Sequence, residues 1–271
     1  MFEMFSYDFM RRAFIVGILV SIIVPLIGTF VVNKKNSMLG DALSHSSLAG
    51  VALGLIFGIN PVIAAIFVCV IAAFGIEIIR KNFAKSSDLS TAIVMSSGIG
   101  LAAILSDFVP GAANFQSFMF GSIVAIPDIE LYTVIIVSFI VIVTYVLLYK
   151  KLVYIIFDED GARLSNINVG LINKIFTFLI AITVAIASRT VGALMVSSLM
   201  VIPVSCAIMV SHSFKRTVIN SSLFGVLFTI IGINMSYYFQ LKPGGSIVLT
   251  GLLVLIILMI VNKFRKNNRK F

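Results

Sequence analysis

Charge is what this sequence has least of. Its 20 Lys and Arg and 11 Asp and Glu make up only 11% of 271 residues, where a soluble domain carries about a quarter. With 60% hydrophobic residues and a mean hydropathy of +1.13, a water-soluble globular domain is excluded. Cysteine is nearly absent too. Cys69 and Cys206 both fall inside apolar runs, which excludes a disulfide scaffold and reads as small core residues. No basic run carries interleaved aromatics, so the net charge of +9 does not imply a nucleic-acid partner. There is no Gly-x-x-x-x-Gly-Lys-Ser/Thr loop to cradle phosphates. Two histidines and a few scattered acids offer no complete catalytic constellation, which disfavours an enzyme.

What the chain has in abundance is long apolar runs. They recur as Ala13–Val32, Met38–Ile59, Val62–Ile79, Leu89–Leu105, Leu131–Tyr149, Leu171–Ala187, Val191–Val210, Val218–Tyr237 and Ser246–Val261. Each is close to the ~20 residues that a helix needs to span hydrocarbon. The runs are continuously apolar and lack the period-two alternation of a barrel strand. The first is too long for a signal-peptide core, and no small-residue cleavage site follows it, so it stays as a span. The expected class is an all-α integral membrane protein of eight to nine transmembrane helices, one domain over residues 1–271. The count turns on the N-terminus, where Met1–Met10 would lie as an interfacial helix.

Basic residues set the orientation. With the C-terminal Lys263, Arg265, Lys266, Arg269 and Lys270 in the cytoplasm, alternating spans also place Lys34, Lys35, Arg80, Lys81, Lys85, Lys150, Lys151, Arg163, Lys174, Lys215 and Arg216 there. Only Arg11, Arg12, Arg189 and Lys242 fall outside, in keeping with the positive-inside rule.

Two stretches are not spans. Residues 108–130 contain no Lys or Arg and hold Pro110-Gly111, Phe115, Phe118, Phe120 and Pro127-Asp128, which predicts an extracellular loop with a short interfacial or re-entrant helix. Asp107, Asp128 and Glu130 flank it, for interfacial solvation first, or for docking of a binding protein or cation capture. Residues 150–168 carry the most acidic segment, Phe157-Asp158-Glu159-Asp160-Gly161-Ala162-Arg163-Leu164, on the basic side. Acidic residues opening a short helix complement its dipole, and Phe157 and Leu164 would be free to touch a partner.

The chemistry concentrates in Gly40-Asp41-Ala42-Leu43-Ser44-His45-Ser46-Ser47-Leu48-Ala49-Gly50, within the second run. Ionisable groups inside a membrane are costly and mark a pathway or a site. Four residues separate Asp41 from His45, so on a helix both lie on one face with ~6 Å of rise between them. Imidazole and carboxylate together suit divalent first-row metals. One chain supplies two ligands; a second copy facing it across a two-fold axis would supply four. The bland reading is a polar cluster in which Asp41, His45 and a serine such as Ser44 satisfy one another. Small residues Ser46, Gly50, Gly54 and Gly58 recur every fourth position and permit close approach of a neighbouring helix. Pro203, in mid-span, is expected to kink its helix and release a carbonyl. His212 and the Met195, Met200, Met209 and Cys206 group read better as interfacial and core residues than as ligands.

Phe9-Met10-Arg11-Arg12, the Gly40–Gly50 stretch with Gly54, Phe157–Arg163, Val191-Gly192-Ala193-Leu194 with Met200-Val201-Ile202-Pro203, and Pro243-Gly244-Gly245-Ser246-Ile247-Val248-Leu249 occur in this order. Together they resemble the permease subunits of bacterial ABC importers for zinc and manganese. The resemblance implies a homodimer of permeases in the plasma membrane, C-termini cytoplasmic, with two copies of a separate cytoplasmic ATPase and an extracellular metal-binding protein. Hydrolysis of ATP would belong to that partner. Asp41 and His45 would line the path of the transported cation, with no resident cofactor. Phe157, Asp158, Glu159, Arg163 and Leu164 would form the coupling helix, and Gly50, Gly54 and Pro203 would serve packing and gating. The Phe9–Arg12, Val196–Val204 and Pro243–Gly245 segments look more like zinc than manganese permeases, so the expected cargo is Zn2+, with Mn2+ or iron as the alternative. An ion-coupled secondary transporter would need internal repeats and several midplane charges, and neither is evident.

Overall fold

Apolar length and helix-capping residues between them dictate the architecture. The computed structural model describes residues 6–83, 87–122 and 126–267; Lys85, Arg269 and Lys270 lie outside the described residues, as do the side chains of Arg265 and Lys266. Eleven helices follow one another among the described residues: α1 (Asp8–Asn33), α2 (Met38–Phe57), α3 (Pro61–Asn82), α4 (Ser87–Ser106), α5 (Ala112–Phe120), α6 (Asp128–Phe157), α7 (Glu159–Leu164), α8 (Val169–Ala187), α9 (Ala193–Val210), α10 (Phe214–Phe239) and α11 (Pro243–Asn267). A π-helical turn, Ser188–Gly192, joins α8 to α9. Side chains set several of the starts. Asn60 accepts from the Val62 and Ile63 amides just ahead of Pro61, and Asn168 and Ser213 accept from Leu171 and Arg216.

Among the described residues, eight helical stretches are long and apolar enough to cross a membrane. One of them, Val169–Val210, runs for 42 residues. Unbroken, that helix would be about 63 Å long, twice the ~30 Å of hydrocarbon. It turns back instead at Gly192, whose φ of +93° leaves the right-handed region. The contacts show the reversal. The π turn lies against α5, with the Ser122 amide donating to the Arg189 carbonyl at 3.4 Å. Beyond the far end of α9, Phe214 packs edge-on against Phe157 beside α7, at 5.9 Å between ring centres. The expected sixth and seventh spans are thus both present, fused through a π turn, and the described residues traverse the bundle nine times. Arg11 and Arg12 belong to the opening turns of α1 itself, which starts at Asp8; of the interfacial segment expected over Met1–Met10, residues 1–5 lie outside the described residues.

Nine traverses give the bundle an α7 end and an α5 end. The α7 end collects the basic residues, among them Lys34, Arg80, Arg163 and Lys174. Arg12, Arg189 and Lys242, three of the four set apart by the sequence pattern, gather at the α5 end. There Arg12 meets Asp128 at 2.5 Å, Arg189 meets Glu130 at 2.8 Å and lies over the Phe118 ring, and Lys242 sits 3.9 Å over Phe120. Glycines let the passes close up. A β-carbon on Gly28 would overlap the Met200 carbonyl, one on Gly225 would overlap the Ser21 carbonyl, and Gly121 and Gly192 pack backbone to backbone.

Burial ranks the helices. Of the spanning windows of α1 and α2, 72% is buried, against 28% for α3, α4 and α11 and 22% for α6. The helix that carries Asp41 and His45 is therefore central, enclosed by α3, α4, α8, α9 and α5.

Candidate cation path and coupling surface

Asp41 lies in the first turn of α2 and His45 one turn further toward the α5 end. Both are partly buried, and among the described residues neither has a hydrogen-bond or ion-pair partner. Ser44 donates to the Gly40 carbonyl at 2.7 Å and Ser46 to the Ala42 carbonyl at 2.9 Å. The serines close on their own helix, so the mutually satisfied polar cluster does not form. Two unpaired groups, one an acid and one an imidazole, face the same side of a central helix. Such groups are costly to leave unmatched, and they are free to bind.

The small-residue face of α2 meets neighbouring helices of the same chain. Gly50 packs against the Ala65 and Ala64 backbone of α3, Gly54 against Pro61 and Ala64, and Gly58 ends the helix at φ +66°. Ser46 and the His45 carbonyl carbon lie against Gly98 of α4. Both close contacts are within the chain. Pro203 is buried inside α9, and a second proline that sequence reasoning passed over, Pro25, sits inside α1.

His45 opens onto a cleft of about 510 Å³ between α2, α4, α5 and α9, lined also by Leu48, Ala102, Asp107, Gln116 and Leu194. Asp41 is not in its lining, being one turn nearer the α7 end. The structure therefore brings Asp107 and His45 to one cleft and separates Asp107 from the other two acids named with it, since Asp128 and Glu130 are held by Arg12 and Arg189. Among the described residues no cluster of three or more His, Cys, Asp or Glu forms. His212 is exposed between α9 and α10, and Met200 is buried as a wedge against Gly28 and Gly40.

At the other end, the acidic segment folds as expected into a short helix. Asp158 caps α7 by accepting from the Gly161 amide at 2.8 Å. Glu159 accepts from Arg163 at 2.8 Å and from Lys34 at 3.2 Å. Burial pushes its carboxyl up, but the Arg163 hydrogen bond and the Lys34 charge outweigh that and hold it below the ordinary value of 4.5. Lys34 also donates to Asn173 of α8 and lies over Phe30. It follows the last residue of α1 and precedes α2 by a short turn, so α7 is tied to the loop that leads to Asp41. Phe157 is 70% and Leu164 90% exposed. The Lys34 tie was not foreseen, because its partner lies 125 residues away.

Comparison with known proteins places this geometry. Residues 6–262 match the ABC 3 transport family. A "Probable metal transport system membrane protein" of Treponema pallidum is 34% identical over 95% of this chain and 96% of its own length. The "Manganese transport system membrane protein MntC" of Listeria monocytogenes is 29% identical over 93% and 90%. Among solved structures, PsaBC from Streptococcus pneumoniae in complex with Fab superposes with a TM-score of 0.84 at 28% identity, covering 93% of this chain and 91% of that one.

Proposed function

The chain belongs to the ABC 3 transport family and is a multi-pass metal permease of the ABC type; on that premise we propose that it passes a divalent first-row cation through the plasma membrane along α2, with Asp41 and His45 as ligands. The observation that carries this is the pair itself: unpaired among the described residues, one helical turn apart, on a largely buried span. Two ligands hold a cation loosely. A second permease copy contributing the same pair would complete four-coordination, and weak binding favours release. By the positive-inside rule the α7 end is cytoplasmic, together with the C-terminus, and the α5 end faces outward. The exposed Phe157 and Leu164 flanking α7 then form a surface for a separate ATPase subunit, which supplies hydrolysis. The α5 end receives a solute-binding protein.

Manganese is the cargo we favour. Imidazole and carboxylate accept zinc, manganese or iron, and intrinsic affinity favours zinc at most such sites, so delivery decides. The Listeria relative is named for manganese; zinc, the expectation from sequence, gains no support from the relatives compared.

Uptake in a strain lacking its own permease tests both parts. Asp41→Asn and His45→Ala should each reduce manganese uptake to background while membrane insertion stays normal. Wild-type uptake in both variants would overturn the site. Growth in chelated medium should be rescued by manganese, and rescue by zinc alone would restore the zinc reading.

A further inference from the structure

The cleft beside His45 is deeper than one ion requires. Beside His45, α2 and α4 are in close contact at Gly98, where an added β-carbon would stand 3.1 Å from the His45 carbonyl carbon. Asp107 follows the last residue of α4, nine positions beyond Gly98, which puts it about 13 Å nearer the α5 end. Ligand bonds to such metals are about 2 Å long, so Asp107 and His45 cannot share an ion. The wall between them is mainly apolar: Ile99, Ala102, Ala103 and Leu194, with Gln116 of α5 contributing an amide.

The acids of this end differ in their neutralisation. Asp128 is matched by Arg12 and Glu130 by Arg189. Asp107 has no cationic partner among the described residues, and no Lys or Arg lines the cleft. An uncompensated carboxylate at the mouth of a low-dielectric cleft focuses its field inward and raises the local concentration of cations.

We propose that Asp107 is the capture residue of the transport path, drawing the divalent cation released at the α5 end into the α2–α4–α5 cleft and passing it to His45. This rests on the reading of His45 as a ligand. Asp107 governs the rate of arrival, whereas His45 governs retention.

Stopped-flow mixing of the purified full-length permease with Mn2+ and a metal-indicator dye separates the two roles. Asp107→Asn should slow association about fivefold at low salt. The difference should close at high salt, where the screening length falls to about 3 Å near 1 M. Dissociation should not change, and Asp107→Glu should behave as wild type. Equal association rates at low salt would overturn the proposal. So would a defect that persists at high salt and is not rescued by glutamate, since that marks a structural role. His45→Ala should lose binding; if it binds Mn2+ as wild type does, the ligand reading itself falls, and if it is inactive while Asp107→Asn is unaffected, only the capture role does.

Discussion

Replacing Glu130 by Gln should destabilise the bundle more than any other single change to the ion pairs of the α5 end. Glu130 and Arg189 are 5% and 12% exposed and meet at 2.8 Å. The guanidinium also lies 4.8 Å over Phe118, and the Arg189 carbonyl receives the Ser122 amide. One pair thus fastens α6, the π turn and the α5 segment together. The substitution keeps an acceptor but leaves a guanidinium out of water without its counter-charge, at a cost of about 3–5 kcal/mol. Asp128 and Arg12 approach more closely, at 2.5 Å, yet are 70% and 35% exposed. Solvent screening limits Asp128→Asn to under about 1 kcal/mol. Burial, not distance, decides between them. For a chain of this size the difference corresponds to a loss of about 6–15 °C in thermal midpoint for Glu130→Gln and under about 4 °C for Asp128→Asn. Thermal unfolding of the detergent-purified permease measures both. The double variant Glu130→Met with Arg189→Met should recover most of the loss, because two apolar side chains leave no orphaned charge. Midpoints within about 2 °C for the two single variants, or a double variant no better than Glu130→Gln, would refute the reasoning.

Two further outcomes concern the α7 end. Leu164→Ser should weaken co-purification with the proposed ATPase partner and leave the thermal midpoint unchanged, because Leu164 is 90% exposed; Phe157→Ser should weaken co-purification and lower the midpoint, since its ring also packs on Phe214. Glu159, held below 4.5 in the folded chain, contributes stability that is present above its unfolded value and is lost as the pH falls through the folded one. Glu159→Gln should therefore flatten the acid limb of the stability curve below about pH 4.5. The effect should stay under about 1 kcal/mol because the group is partly exposed, with no change in slope between pH 6 and 8; an acid limb as steep as wild type would disprove it.

The spans were legible because they are written locally. Twenty apolar residues in a row have one stable arrangement in hydrocarbon, and capping residues such as Asn60 and Asn168 sit beside the amides they satisfy. The π turn at Ser188–Gly192 was not legible as such. The sequence shows only a polar break between two apolar runs, and the shape of that break depends on Gly121 packing against it from about 70 residues away. The α2 pair was legible for the opposite reason: an acid and an imidazole in so apolar a run are conspicuous without any knowledge of their neighbours. The same run of small residues that permits close approach does not say which helix approaches, and α3 takes that place with Pro61, Ala64 and Ala65.

Three acids near the α5 end, Asp107, Asp128 and Glu130, look alike along the chain, each next to an apolar run and far from any base in sequence. The fold separates them. Arg12 reaches Asp128 across 116 positions, and Arg189 reaches Glu130 across 59, so two of the three carboxylates act as fasteners. Among the described residues, Asp107 has no cationic partner, and it stands in the lining of a cleft that reaches His45. A carboxylate already neutralised by a guanidinium draws a cation weakly, because the dication sees nearly no net charge beyond a few ångströms. The division of labour among the three is therefore set by where the arginines land, and an arginine brought to Asp107 should abolish the proposed capture role without touching Asp41 or His45 on α2.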